Sequence, residues 1–156
     1  MSDQLRGFLA GLLGWQQAHA SFDSAIADLP AALRGTRPAD APHSVWELVE
    51  HIRLAQRDIL DFCVNPDYEE QNWPADYWPA TPAAPSAKAW NDSIAAYHAD
   101  VERLQRLVRD PDFDLFAAVP WGNGQTHIRE VMLVFDHTAY HVGQIVLVRR
   151  LLGAWK

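Results

Sequence analysis

His137 and His141 stand four residues apart in the stretch THIREVMLVFDHTAYHVGQIVLVRRLLGAW, residues 126–155. The stretch holds no proline and only two glycines, so it reads as one long helix. Residues four apart on a helix share a face, with Cβ atoms about 5–6 Å apart, close enough for two imidazoles to converge on one ion. His51, midway along an earlier helical pattern, could supply a third imidazole across a helix bundle. Three neutral imidazoles with one open coordination position are the donor set of a catalytic zinc site. The H-x-x-x-H spacing by itself admits a second reading, in which the histidines are hydrogen-bonded parts of a core. Gln144 falls on the same stripe as His137 and His141. It either donates a hydrogen bond to a neighbouring histidine or to a bound ligand, or it is a helix-packing amide. Glu47, one turn before His51, is a candidate partner or base as well as a cap residue.

Other chemistries are excluded by what the motifs lack. The central residues HTAYH have no Glu following the first His, which removes the H-E-x-x-H protease motif. A di-iron carboxylate bundle needs Glu-x-x-His pairs, and Val134 and Leu48 occupy the required positions. There is no G-x-S-x-G and no phosphate-binding loop. The single Cys63 cannot form an internal disulfide, and it suits a reducing cytoplasm. It ends an apolar pattern and reads as core. The formal charge of −7 at pH 7 disfavours a nucleic-acid partner. No uninterrupted apolar run approaches the ~20 residues of a membrane span, and the first residues lack the pattern of a secretory signal.

The elements that must position these residues are helices. Leu5, Phe8, Leu12, Trp15, His19, Phe22, Ile26 and Leu29 recur in alternating steps of three and four, as one buried helix stripe does. His19 lies in that stripe, either as a core histidine or as a pocket wall. Ser44 and Glu47 form a capping box that opens a second helix, with stripe Val45, Leu48, Ile52, Ala55, Ile59 and Phe62. Ser86 opens a third, with stripe Trp90, Ile94, Tyr97, Val101, Leu104 and Val108. His98 lies beside that stripe and is expected to face solvent. Arg149 and Arg150 read as a solvated helix end, and Gly153 as the stop. Between the second and third helices, residues 65–85 carry five prolines with Tyr68, Trp73, Tyr77 and Trp78. This is an ordered loop over one end of the bundle, whose aromatics either seal the core or line a binding pocket. The fold class is therefore all-α, one four-helix-bundle domain over residues 1–156 with long crossover loops.

The chain resembles the DinB/YfiT-like superfamily over nearly its whole length. The residues that carry the resemblance are SVWELVEHI at the start of the second helix and DHTAYHVGQIVLVRRLLG in the last. The family pattern has a histidine on the second helix and H-x-x-x-H-x-G-Q on the last, matched by His51, His137, His141, Gly143 and Gln144. Relatives often carry a further histidine beside the last ligand, where this chain has Tyr140 and Val142. The resemblance implies one divalent ion, zinc or nickel, bound by His51, His137 and His141, and a homodimer. It implies transfer of a low-molecular-weight thiol to an electrophilic small molecule, as in bacillithiol S-transferases and mycothiol-dependent isomerases, or a related hydrolysis. The alternative is a non-catalytic stress protein that binds a metal and a small ligand. Trp73, Trp78, His19, Gln144 and Glu47 are the candidates for pocket or supporting roles, and no catalytic side chain is assigned. A reference imidazole pKa of ~6.5 predicts weaker metal binding at about pH 5 than at about pH 8.

Overall fold

The structure is a computed structural model that describes residues 1–14 and 18–155. It contains α1 (Asp3–Leu12), α2 (Phe22–Ile26), α3 (Val45–Val64), α4 (Ala87–Arg109) and α5 (His127–Leu151), with two short 3₁₀ turns. No strand occurs among the described residues, which carry only an isolated bridge between Ala118 and Thr126. α3 packs against both α4 and α5, α1 packs on α4, and α2 packs on α5. The long helices thus form a bundle around α3. Its core holds Leu48, Ile52, Leu60, Leu104, Val108 and Ile145.

The expected first helix is two. Ser21 caps α2 through Ser24 N–H, so the chain restarts there. The break lets the N-terminal segment close the bundle twice, α1 on α4 and α2 on α5. Phe22 of α2 also stacks on Tyr97 of α4, with ring centroids 3.9 Å apart. The expected α1 stripe is out of register. Leu5 and Phe8 are exposed, whereas Arg6, Leu9, Ala10 and Leu13 are buried. The Arg6 guanidinium crosses to α4 and donates to the carbonyls of Val108 and Phe113, both at 3.0 Å. Trp15 lies outside the described residues. His19 sits between the two helices, exposed, and its Nδ1–H donates to Ala20 O. It is therefore not a core position of a continuous helix.

α3 opens with the expected capping box, in which Ser44 accepts from Glu47 N–H and Glu47 accepts from Ser44 N–H. Its buried surface is broader than one stripe and includes Trp46, Val49, His51 and Gln56. α4 buries the expected positions except Ile94, which is half-buried. His98 is paired with Asp23 at 2.8 Å rather than simply solvated. α5 starts after Thr126 and ends before Gly153, whose φ of 67° suits a glycine stop. By length and composition α5 could cross a membrane, yet in this fold it packs on α3 and α2. It is less enclosed than its composition suggests, because Met132, Tyr140, Leu147 and Leu151 are exposed. Arg149 corrects the opposite expectation. It is 5% exposed and donates to Ala25 O at 2.7 Å and to Ala154 O, so it ties α5 to α2 and to the C-terminal segment. Arg150 is exposed as expected.

The connectors are held by specific bonds. Gly35 lies so close to residues 82–83 that a Cβ there would sit 2.7 Å from Ala83 Cα. Ser44 Oγ donates to Pro82 O at 2.5 Å. The aromatic loop is drawn onto α3 by Asp58, which accepts from Tyr68 OH at 3.0 Å and Tyr77 OH at 2.8 Å.

Candidate metal centre

α3 carries His51 and α5 carries His137 and His141 to one place. Single ligating atoms of the three lie within 4.8 Å of one another. His51 Nε2 and His137 Nε2 are 3.0 Å apart. Nitrogens around a tetrahedral zinc are about 3.3 Å apart for a Zn–N length of ~2.0–2.1 Å. The observed separations bracket that value, so the donor set fits an ion of this size. All three are neutral nitrogen donors of the kind zinc and nickel accept.

The protonation of the rings also fits. His51 Nδ1 is 2.7 Å from Tyr77 O, and a carbonyl can only accept, so Nδ1 carries the hydrogen. His51 Nε2 is therefore left with its lone pair facing the other histidines. His141 Nδ1–H donates to Gln144 Oε1 at 2.7 Å, which likewise frees His141 Nε2. Histidines that hold metals are oriented in this way, with the second nitrogen donating to an oxygen. Gln144 thus accepts from the histidine through its carbonyl oxygen, instead of donating to it as expected.

The rings are enclosed. His51 is 2% exposed and His141 is 7% exposed. Trp78 stacks on His51, with centroids 3.9 Å apart and planes 3° from parallel, and stacks on His43 at 4.0 Å. Tyr140 meets His141 edge-on at 4.9 Å. Burial favours the uncharged imidazole. It pushes His137 down to about 3, with the neighbouring His141 and His51 adding to the effect. It pushes His141 down to about 4 against the opposing bond to Gln144. His51 is lowered by burial against the opposing Tyr77 carbonyl. The window of proton competition therefore moves well below that of an ordinary imidazole.

The remaining sequence candidates lie elsewhere. Glu47 is buried, but its carboxylate serves the helix cap and a bidentate pair with Arg37. Those bonds hold its pKa down against the opposing effect of burial. His19 lines a separate small cavity with Phe22, Tyr97 and His98. Trp73 is 70% exposed and leans on Tyr77. Cys63 is 4% exposed, and burial pushes its thiol up to about 12, as a core residue and not a nucleophile. Two contributors escaped the sequence reading. The carbonyl of Tyr77 has no side-chain signature, and His43 gave no spacing signal linking it to Trp78.

A family model described as mycothiol-S-transferase matches residues 9–154 of the chain. No curated protein and no solved structure matches it significantly.

Proposed function

The chain belongs to the mycothiol-S-transferase family, and on that premise we propose that it transfers a low-molecular-weight thiol to an electrophilic small molecule at a divalent ion held by His51, His137 and His141. The observation that carries this reading is the convergence of three imidazoles, His51 and His141 buried and His137 half-buried, two of them with Nδ1–H already donated to an oxygen. A divalent ion bound there, zinc or nickel, supplies positive charge that favours the thiolate form of a thiol near neutral pH.

The chain's own residues do the rest. Tyr77 O holds His51, and Gln144 Oε1 holds His141, so neither ring must reorient when an ion arrives. Trp78 covers one face of His51 and keeps water from it. Three neutral donors would leave the double charge of an ion uncompensated, which would favour an anionic sulfur beside it. In the transfer, the thiol loses its proton and the sulfur forms a bond to carbon, whose former bonding pair goes to a leaving group or, where no group is displaced, into the acceptor's π system, which takes up the proton. Cys63 takes no part.

The test is metal content and conjugation on untagged protein purified without chelator. About one zinc or nickel per chain, absent from the His51/His137/His141 triple alanine variant, is expected. Mycothiol should then be consumed with chlorodinitrobenzene, and His137→Ala should abolish this. Metal-loaded protein that accelerates no such conjugation would sink the enzymatic reading. Conjugation that persists in His137→Ala would remove the histidines from it.

A further inference from the structure

Transfer needs a second substrate, and α5 passes two different cavities on either side of the histidines. Arg129, Glu130 and Leu133 line a polar cleft of about 450 Å³, together with Asp58 and Asn123. His137 and His141 follow. Gln144, Leu147 and Leu151 then line an apolar groove of about 340 Å³, completed by Pro42, His43 and Leu48. At 1.5 Å per residue, Gln144 lies only about 7–8 Å along the helix from the midpoint of the two histidines. One small molecule can span that distance.

The groove touches the metal centre through two residues. Gln144 forms part of its wall and bonds His141. His43 forms another part and stacks on Trp78, which stacks on His51. The Oε1 atom of Gln144 is engaged, while its amide nitrogen has no hydrogen-bond partner among the described residues. The groove thus combines an apolar body with one unspent donor at the end nearest the histidines. Its volume is within the range of small-molecule sites. Asp40 also lines it, so an anion is disfavoured there.

We propose that this groove binds the electrophilic co-substrate, and that the co-substrate is an uncharged conjugated carbonyl compound with an alkyl or aryl body. The inference rests on the transfer reading above. The apolar body lies along Leu48, Leu147 and Leu151, and the carbonyl oxygen accepts from the Gln144 amide. In the addition, sulfur bonds to the β-carbon and the C=C π pair moves to form the enolate, whose oxygen Gln144 stabilises. The proton lost by the thiol returns to the α-carbon. Nothing leaves, and no oxidant or reductant is needed. The hydrophilic body of the thiol is left to the polar cleft.

The test separates binding from turnover. The probe is benzylacetone, the saturated and unreactive counterpart of the enone benzylidene acetone, titrated into the zinc-loaded full chain by NMR. Saturable binding is expected in the wild type. Leu147→Glu should weaken it by at least about tenfold, because a carboxylate is costly in an apolar wall. Leu147 and Leu151 are 56% and 59% exposed, so Leu147→Glu and the companion Leu151→Glu leave the fold intact. Arg129→Ala, in the polar cleft, should leave the affinity within about twofold. Cinnamate, an anion of similar shape, should not bind. The proposal is overturned if the wild type does not bind benzylacetone, if Leu147→Glu has no effect, or if cinnamate binds as well. Conversion of a dimer to a monomer by Leu147→Glu, without benzylacetone binding in the wild type, would assign the groove to contact between two copies. Absence of thiol transfer with benzylacetone binding intact would sink the transfer reading alone. Transfer to benzylidene acetone with a KM unchanged by Leu147→Glu would sink this proposal alone.

Discussion

Replacing Gln144 tests how the candidate metal centre is held. Its Oε1 accepts from His141 Nδ1–H at 2.7 Å, a short bond to a ring that is 7% exposed. Leucine at this position keeps the bulk and removes the acceptor. The buried Nδ1–H is then unpaired, at a cost of about 1–3 kcal/mol. The alternative tautomer escapes that cost only by placing the hydrogen on Nε2, the atom needed for the ion. Either route weakens His141 as a ligand. The bond also raises the affinity of His141 for a proton, and the same basicity serves a metal. Gln144→Leu is therefore expected to lose ten- to a hundredfold in zinc affinity, about 1.4–2.7 kcal/mol. Gln144→Glu should bind zinc more tightly than the wild type, because a carboxylate is the stronger acceptor. The assay is zinc competition against a chromophoric chelator at about pH 7.5, with circular dichroism to confirm the helices. A folded Gln144→Leu variant that binds zinc within about twofold of the wild type would refute the argument.

The histidines are held neutral in the fold, His137 at about 3 and His141 at about 4, against an unfolded value near 6.5. Below that value the unfolded chain binds more protons, so the stability of metal-free protein should fall as pH drops from about 6.5 towards 4. The loss is at most about 1.4 kcal/mol per pH unit for each histidine. A melting temperature that does not fall between about pH 7 and pH 5 would contradict this. The same shifts mean that zinc uptake at about pH 6 should release fewer than about one proton from the three rings, where ordinary imidazoles would release about 2.3; calorimetry in buffers of different ionisation enthalpy reads this directly. Asp58→Ala frees the hydroxyls of Tyr68 and Tyr77, and through Tyr77 loosens the carbonyl that orients His51. Faster proteolysis within residues 65–85 and weaker zinc binding are expected, and a change in neither would rule out this coupling. Arg149→Met should destabilise the fold by about 2–4 kcal/mol, because buried carbonyls lose charged donors. Arg150→Met should stay within about 0.5 kcal/mol. Chemical denaturation compares the two.

Much of the helical framework follows from local chemistry that a sequence displays. Ser44 with Glu47, and Ser86, open their helices as their side chains require, and Gly153 ends the last. Helix periodicity alone puts His137, His141 and Gln144 on one face, since their spacing is set by bonds within a single turn. The stripe of α4 is legible for the same reason. What periodicity lacks is knowledge of which face another helix will cover. In α1 the apolar repeat through Leu5 and Phe8 loses to a face carrying Arg6, because that face meets α4 and the carbonyls of Val108 and Phe113. Arg149 has the composition of a solvated end and the partners of a buried tie. The meeting of His51 with His137 joins residues 86 apart, and it depends on α3 packing against α5. The carbonyl of Tyr77 reaches His51 only because Asp58 draws the loop onto α3. A backbone oxygen looks alike at every position of a chain, so tertiary packing alone decides which one orients the ring.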